Sequence, residues 1–527
     1  MRNLYTLLIL IPLLSACAPS LIVSLPTAQP APNVRLVQAQ SVDLPTRDWR
    51  DVSPTNTPAE TAPSAQTPTP ACLQGGPRSK PQHTLTVDLD YEQRVLQVSH
   101  IMRYRNFTRA VLSDLAFIVE ANEWARAFEL LEVMVDGQPA QARIAINRLD
   151  VELPQALFPG CESVVEMAYT LRLPRVGQGL AAYKGYLGYS ERQLNLAYWT
   201  PYLAPYNGQG WTVHEPRAIG EQMVLEQADW DVTIRVEGAS EALVLAMPGR
   251  VEKLGAMTWR AVLENARDFP LSMSEQYRVL QQHTPSGVIL EMYAFADSVR
   301  SEGIDGAQHA LRVAAQAYAQ YESLFGRTPY GRVLVVQGDF PDGMEFSALV
   351  FVSSNWFYQF RGGYDNYLTV ITVHEIAHQW WYARVGNDAA HAPWLDEALA
   401  TYSEYVYYEE YHPTLKDWWW SFRVGWYAPQ GFVDSTIYEF VTPRDYINAV
   451  YLRGVQMLQN IRNDIGTQAF FRLLEEYARA ADGRIGTPRL FWSLLSPEQY
   501  AATTNTRGQF LRLPQVLEAG SGPTPAP

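Results

Sequence analysis

Residues 368–386 read LTVITVHEIAHQWWYARVG, a stretch with no proline or glycine until Gly386, and they hold His374, Glu375 and His378 in the order His-Glu-x-x-His. On a helix, residues four apart share a face. Both imidazoles can therefore reach one ion while Glu375, turned about 100° away, faces a bound water. Nineteen residues after His378, Glu397 stands near the start of a second helical stretch, HAPWLDEALATYSEYVYYEEY (residues 391–411), which a short loop lets fold back on the first. Two histidines and one carboxylate leave a fourth tetrahedral position open, the arrangement of a catalytic rather than a structural zinc site. Zinc lowers the pKa of a bound water toward about 7, and Glu375 is placed to take the proton and pass it to a leaving amine. The expectation is one zinc per chain, held by His374, His378 and Glu397, with Glu375 as base.

Outward from this motif the chain divides by periodicity. Between 82 and 282, short alternating segments such as TLTVDLDY, VLQVSHIMRYRN, WDVTIRVEG and MTWRAVLENARDF are separated by turn residues, which predicts an antiparallel β domain. After about residue 283, AQHALRVAAQAYAQYESLFG reads as an amphipathic helix, RVLVVQGDF as a strand, and the rest to about 500 as mostly helices. At 527 residues the chain exceeds what one core organises, in keeping with two folded domains. A segment over 501–527 follows, and its tail GSGPTPAP reads as unstructured.

The beginning carries targeting information. MRNLYTLLILIPLLSACAPS combines Arg2 with an apolar run too short to span a bilayer and small residues before Cys17, the pattern of an export signal over 1–17. Leu14, Ser15, Ala16 and Cys17 resemble a bacterial lipobox, in which the cysteine is acylated and anchors the chain to a membrane. From 18 to 81 the composition is rich in Pro, Thr, Ala and Ser and reads as a disordered tether. The two remaining cysteines, Cys72 and Cys161, form an even pair that an oxidising compartment can bridge. A net charge of −14 argues against a nucleic-acid partner.

With these residues in hand, the chain resembles the gluzincin zinc metallopeptidases, the family that includes aminopeptidase N and the leukotriene hydrolase/aminopeptidase, as a short bacterial lipoprotein member. The family's His-Glu-x-x-His and its Trp-Leu-[Asn/Asp]-Glu-Gly segment appear as HEIAH and WLDEA, with Ala398 where glycine is usual. Gly-x-Met-Glu-Asn corresponds to the segment Asp342, Gly343, Met344, Glu345, Phe346, and Tyr-x-Lys-Gly to Tyr451, Leu452, Arg453, Gly454. The resemblance implies an α+β multidomain chain, with an N-terminal antiparallel β-sandwich or saddle domain followed by a thermolysin-like, mostly helical catalytic domain. It also implies that Glu345 binds the α-amine of the substrate, that Tyr451 donates to the oxyanion, and that backbone groups of Gly343 and Met344 hold the substrate main chain.

One departure bears on specificity. The family's second amine anchor comes from the β domain, and the nearest region here, LAYWTPYLAPYNGQGW (196–211), has no carboxylate, so a single anchor is expected. The sequence also ends soon after the catalytic helices, which leads to the expectation of an open cleft. The leading reading is an aminopeptidase acting on extracytoplasmic peptides. An endopeptidase, a hydrolase of epoxides or similar compounds, and an inactive surface-binding lipoprotein stand as alternatives. Trp418, Trp419, Trp420 and the tyrosines from Tyr402 to Tyr411 read as packing residues.

Overall fold

The computed structural model describes residues 72, 80–177, 184–301 and 303–512. The signal segment with Cys17, nearly all of the tether and the tail beyond 512 lie outside the described residues. Among those described, no helix is long and apolar enough to cross a membrane.

In the strand Gln82–Asp90, side chains alternate between solvent and core, with Leu85, Val87 and Leu89 inward and Thr84, Thr86 and Asp88 outward. That two-residue period is what one solvated and one packed face require. The strand lies inside an eight-stranded sheet, antiparallel to Val95–Arg105 and parallel to Ala228–Glu237. The parallel pair departs from the all-antiparallel expectation. It arises because the first strand enters the middle of the sheet rather than its edge. Two four-stranded sheets complete this region, and a Cys72–Cys161 disulfide, Cα atoms 4.9 Å apart, ties its entry to the turn before Glu162–Arg172.

The change of architecture comes a few residues before 283. The strand Arg278–His283 already belongs to a second, mixed sheet of five strands, where it pairs with Ile289–Ala294. That sheet continues through Arg332–Gly338 and Leu349–Ser353 and ends at Gly343–Phe346, an antiparallel edge strand. Against it pack helices α1 (Gly306–Phe325) and α2 (Tyr367–Ala377); α3 (Glu397–Tyr411) packs on α2, and α4 (Arg453–Ile465) packs on α3. Asp305 caps α1 and Asn366 caps α2, each accepting backbone N–H groups of the first turn. Beyond 500 the chain is still helical, and Phe510 at the end of Thr504–Phe510 is buried.

One buried cation ties the sheet-rich region to the helical one. Arg267, 2% exposed, follows the strand Thr258–Ala266 and donates to the carbonyls of Tyr382, Leu225, Arg384 and Arg484 at 2.5–3.1 Å. Tyr382 and Arg384 lie just beyond α2, and the guanidinium satisfies the Tyr382 carbonyl and shares that of Arg384 with the Gly483 N–H. The Arg384 and Arg484 carbonyls also accept from the Gly483 and Gly386 N–H groups, so Arg267→Met would leave two buried acceptors, those of Tyr382 and Leu225, without a donor, a loss of about 2 kcal/mol or more. Thermal unfolding should show a transition several degrees lower; an unchanged midpoint would mean that these carbonyls have other partners.

Candidate metal centre and cleft

Helix α2 forms from an improbable sequence. Thr369, Val370, Ile371, Thr372 and Val373 are β-branched residues that favour strands. Tertiary packing overrides that preference, because every residue from Leu368 to Ala377 is buried between the sheet and the neighbouring helices. The regular helix then stops at His378, and a wider turn follows from Gln379 to Arg384. The cause is local. The His378 ring donates from Nδ1 to Asp396 Oδ1 at 2.7 Å and lies 3.0 Å from the Trp381 carbonyl, while Arg267 takes the next carbonyls.

His374, His378 and Glu397 converge as expected. Nε2 of His374 lies 3.1 Å from Nε2 of His378 and 3.2 Å from Glu397 Oε2, and the third separation is 3.7 Å. Zinc bonds of about 2.0–2.1 Å at tetrahedral angles would set donor atoms about 3.3 Å apart. The opposite ring nitrogens face carboxylates, His374 Nδ1 on Glu404 at 2.9 Å and His378 Nδ1 on Asp396. Those acceptors keep the proton on each Nδ1 and aim both Nε2 lone pairs at one point. Two lone pairs 3.1 Å apart repel unless a cation lies between them, so the donor set fits a metal. Burial opposes charge on both rings. Even so, hydrogen bonds to Glu397 and Glu404 hold His374 up at about 9, and Asp396 and Glu397 hold His378 up at about 10. The same field that would hold a proton holds a metal cation.

Around this centre the other expected residues take their places. Glu375 is buried and its Oε2 has no hydrogen-bond partner. Its carboxylate lies against Gly343, where a Cβ would stand 2.1 Å from Oε1, so only glycine allows this approach. Glu345 and Met344 are buried on the same edge strand. Tyr451 sits in a widened turn, Ile447–Leu452, leading into α4; its ring stacks 6.0 Å from that of His374, and it lines the same cleft as Glu397. Arg453 points elsewhere, to the Gly431 and Gln509 carbonyls and the Phe510 ring. Ala398 packs where α3 meets α4, against Gly454. Trp419 is more than packing, since its Nε1 donates to Glu404, and Arg423 bonds the same carboxylate.

The expectation of a single amine anchor needs correction. Glu221, from the β region, is brought beside Glu345 and Glu397, with one carboxylate oxygen of each within 4.8 Å of the others. It lies on a segment with no regular structure, which no periodicity marks. The only hint is Gly220, whose positive φ of 69° and close approach to Ile437 let the chain turn into the cleft. Burial and then the charge of Glu397 push Glu221 up to about 8, and burial with Glu221 pushes Glu345 well above the carboxylate range. Burial lifts Glu375 to about 7 against the pull of both histidines. So many carboxyls in one buried space favour positive charge among them. Glu404 and Asp396 were also missed as orienting groups. Glu404 carried a signal, standing seven residues after Glu397 and so on the same helical face.

The peptidase family M1 domain matches residues 310–506. Aminopeptidase N of Lactobacillus delbrueckii subsp. lactis is 27% identical over 226 residues, 38% of this chain, and the match spans about a quarter (26%) of that protein. The fold is that of the M1 zinc metallopeptidase from Deinococcus radiodurans, at a TM-score of 0.59 and 16% identity, covering 85% of this chain and 97% of that one. A variant of the same enzyme bound to a Tyr-Ser-Ala substrate aligns at a TM-score of 0.58 and 16% identity, over 85% and 96% of the two chains.

Because Asp396 fixes the His378 tautomer, Asp396→Asn should weaken zinc retention about 10–100-fold. Competition with a chromophoric chelator measures this, and affinity equal to the native chain's would show that Asp396 does not orient the ligand.

Proposed function

We propose that this chain, whose catalytic domain belongs to the gluzincin zinc metallopeptidases that include aminopeptidase N, removes N-terminal residues from extracytoplasmic peptides. The observation that carries the reading is the paired carboxylates Glu221 and Glu345 beside the metal centre. Ammonium held by two carboxylates is a charge-assisted contact that an internal peptide nitrogen cannot make, and it sets the reading frame from the amino end. The lone-anchor argument for an endopeptidase or an epoxide hydrolase thereby loses its basis.

Zinc is the cofactor, with His374, His378 and Glu397 to hold it; when bound it supplies a Lewis acid for the substrate carbonyl and an acidified water. Glu375 Oε2, without a partner in its buried place, accepts the proton of the attacking water and returns it to the leaving nitrogen. Gly343 lets that carboxylate lie against the edge strand, where the backbone of Gly343 and Met344 aligns the substrate main chain. The Tyr451 hydroxyl donates to the oxyanion, a contact realised only in the transition state. A thermolysin-like catalytic frame is part of this reading, supported by α2 on the five-stranded sheet and α3 packed on α2.

The same reading places the enzyme outside the cytoplasm, tethered by acyl chains on Cys17 with 18–81 as spacer. The lipobox pattern and the Cys72–Cys161 bridge, a bond rare in reducing compartments, support it.

Aminoacyl amides with a free amine should be cleaved and their N-acetyl forms spared, and Glu375→Gln should lower kcat by about 10²–10⁴-fold. Glu345→Gln should lower kcat/KM about 10–100-fold, as expected for a lost bond to a charged group. Full turnover by Glu375→Gln, or equal cleavage of blocked and free amides, would overturn the proposal.

A further inference from the structure

A cavity of about 300 Å³ runs from Glu397 and Tyr451, past Glu221 and the Gly343 strand, to Glu120 and Glu123 in the β region. The catalytic residues occupy one end; nothing described so far uses the other. Glu120 and Glu123 bound a short helical turn that follows the strand Leu112–Ile118.

The far end carries more negative charge than its own residues neutralise. Glu120 has a side chain 1% exposed; its Oε1 accepts from the Tyr186 hydroxyl and from Lys184 Nζ at 3.1 Å. Its Oε2 is buried with no partner. Glu123 takes the same Lys184 at 2.7 Å and Gln222 at 3.0 Å. One ammonium thus serves two carboxylates, Glu120 buried and Glu123 half-buried. Burial and the charge of Glu120 push Glu123 up to about 7. Arg217, the other cation on the cavity wall, is exposed and lies over the Tyr438 ring, so it does not balance the buried end. An unpartnered buried carboxylate oxygen is expensive to maintain, and it is tolerated where a ligand supplies the donor.

We infer that Glu120, supported by Glu123, forms a subsite for a cationic first side chain, a guanidinium or an ammonium, so that arginyl and lysyl peptides are the preferred substrates. The inference rests on the aminopeptidase reading for its orientation. With the α-amine at Glu221 and Glu345 and the scissile carbonyl beside Glu397 and Tyr451, the first side chain is left to fill the remaining space. Met223, Met344 and Ile219 on the cavity wall suit the methylenes of such a side chain, with the charge at its tip. An acidic side chain has no cation to meet, because Lys184 is already held by two carboxylates. An apolar one would bury the unpartnered oxygen.

The test uses the zinc-loaded native protein with arginyl, lysyl, leucyl and glutamyl amides, together with competitive binding of L-arginine and of its neutral isostere L-citrulline. The inference expects kcat/KM for the arginyl and lysyl amides at least about tenfold above the leucyl amide, and arginine binding at least about tenfold tighter than citrulline. Glu120→Gln should collapse both ratios. Should that variant fail to fold, Glu123→Gln serves in its place, and the arginine–citrulline comparison needs no variant. Preference for leucyl or glutamyl amides, or equal binding of arginine and citrulline, overturns the subsite. Cleavage of none of the amides would remove the aminopeptidase reading instead, and the arginine–citrulline binding ratio would then decide the subsite alone.

Discussion

The Nδ1 atoms of His374 and His378 each face a buried carboxylate, Glu404 at 2.9 Å and Asp396 at 2.7 Å, and this pair of contacts sets the tautomer and aim of both imidazoles. With the protons held on the far side, two Nε2 lone pairs and a Glu397 oxygen are turned toward one point. Such an arrangement is stable only around positive charge. The neighbours follow from it. Arg423 and the Trp419 N–H satisfy Glu404, so the supporting carboxylate is itself fixed. Helix α3 supplies the ligand Glu397 and the support Glu404 from one face, seven residues apart.

A second layer of order comes from outside the helices. The regular part of α2 ends at His378, and the carbonyls released there are taken up by Arg267 from the β region. The ligand helix is therefore positioned by the sheet that precedes it in the chain as well as by its own neighbours. The β region also delivers Glu221 and Glu120 to the cleft, so the metal centre belongs to the helical region while the cleft beside it is lined by both.

The metal ligands were legible because a helix converts a spacing of four into a shared face and because the third ligand sits on the next helix. Gly343, Met344, Glu345 and Tyr451 were legible only through the resemblance of their segments to family motifs, and the reason for Gly343, its contact with the Glu375 carboxylate, is visible only in three dimensions. The strand Gln82–Asp90 was readable from its alternation, whereas its parallel partner Ala228–Glu237 was not, since the two lie about 140 residues apart in the chain. Glu221 escaped for a different reason. It stands on an irregular segment, where neither period applies, and only the folded chain brings it to Glu345. Helix α2 was found through its chemistry rather than its propensity, which favours a strand.

The most direct test of this account is zinc K-edge absorption on the purified chain, native and with His378→Ala. The account predicts one zinc per chain in the native protein, with two nitrogen ligands and oxygen ligands at about 2.0–2.1 Å and no sulfur. The metal should be lost in the variant. A sulfur-ligated zinc, or a full complement retained by the variant, would place the metal somewhere other than between His374, His378 and Glu397.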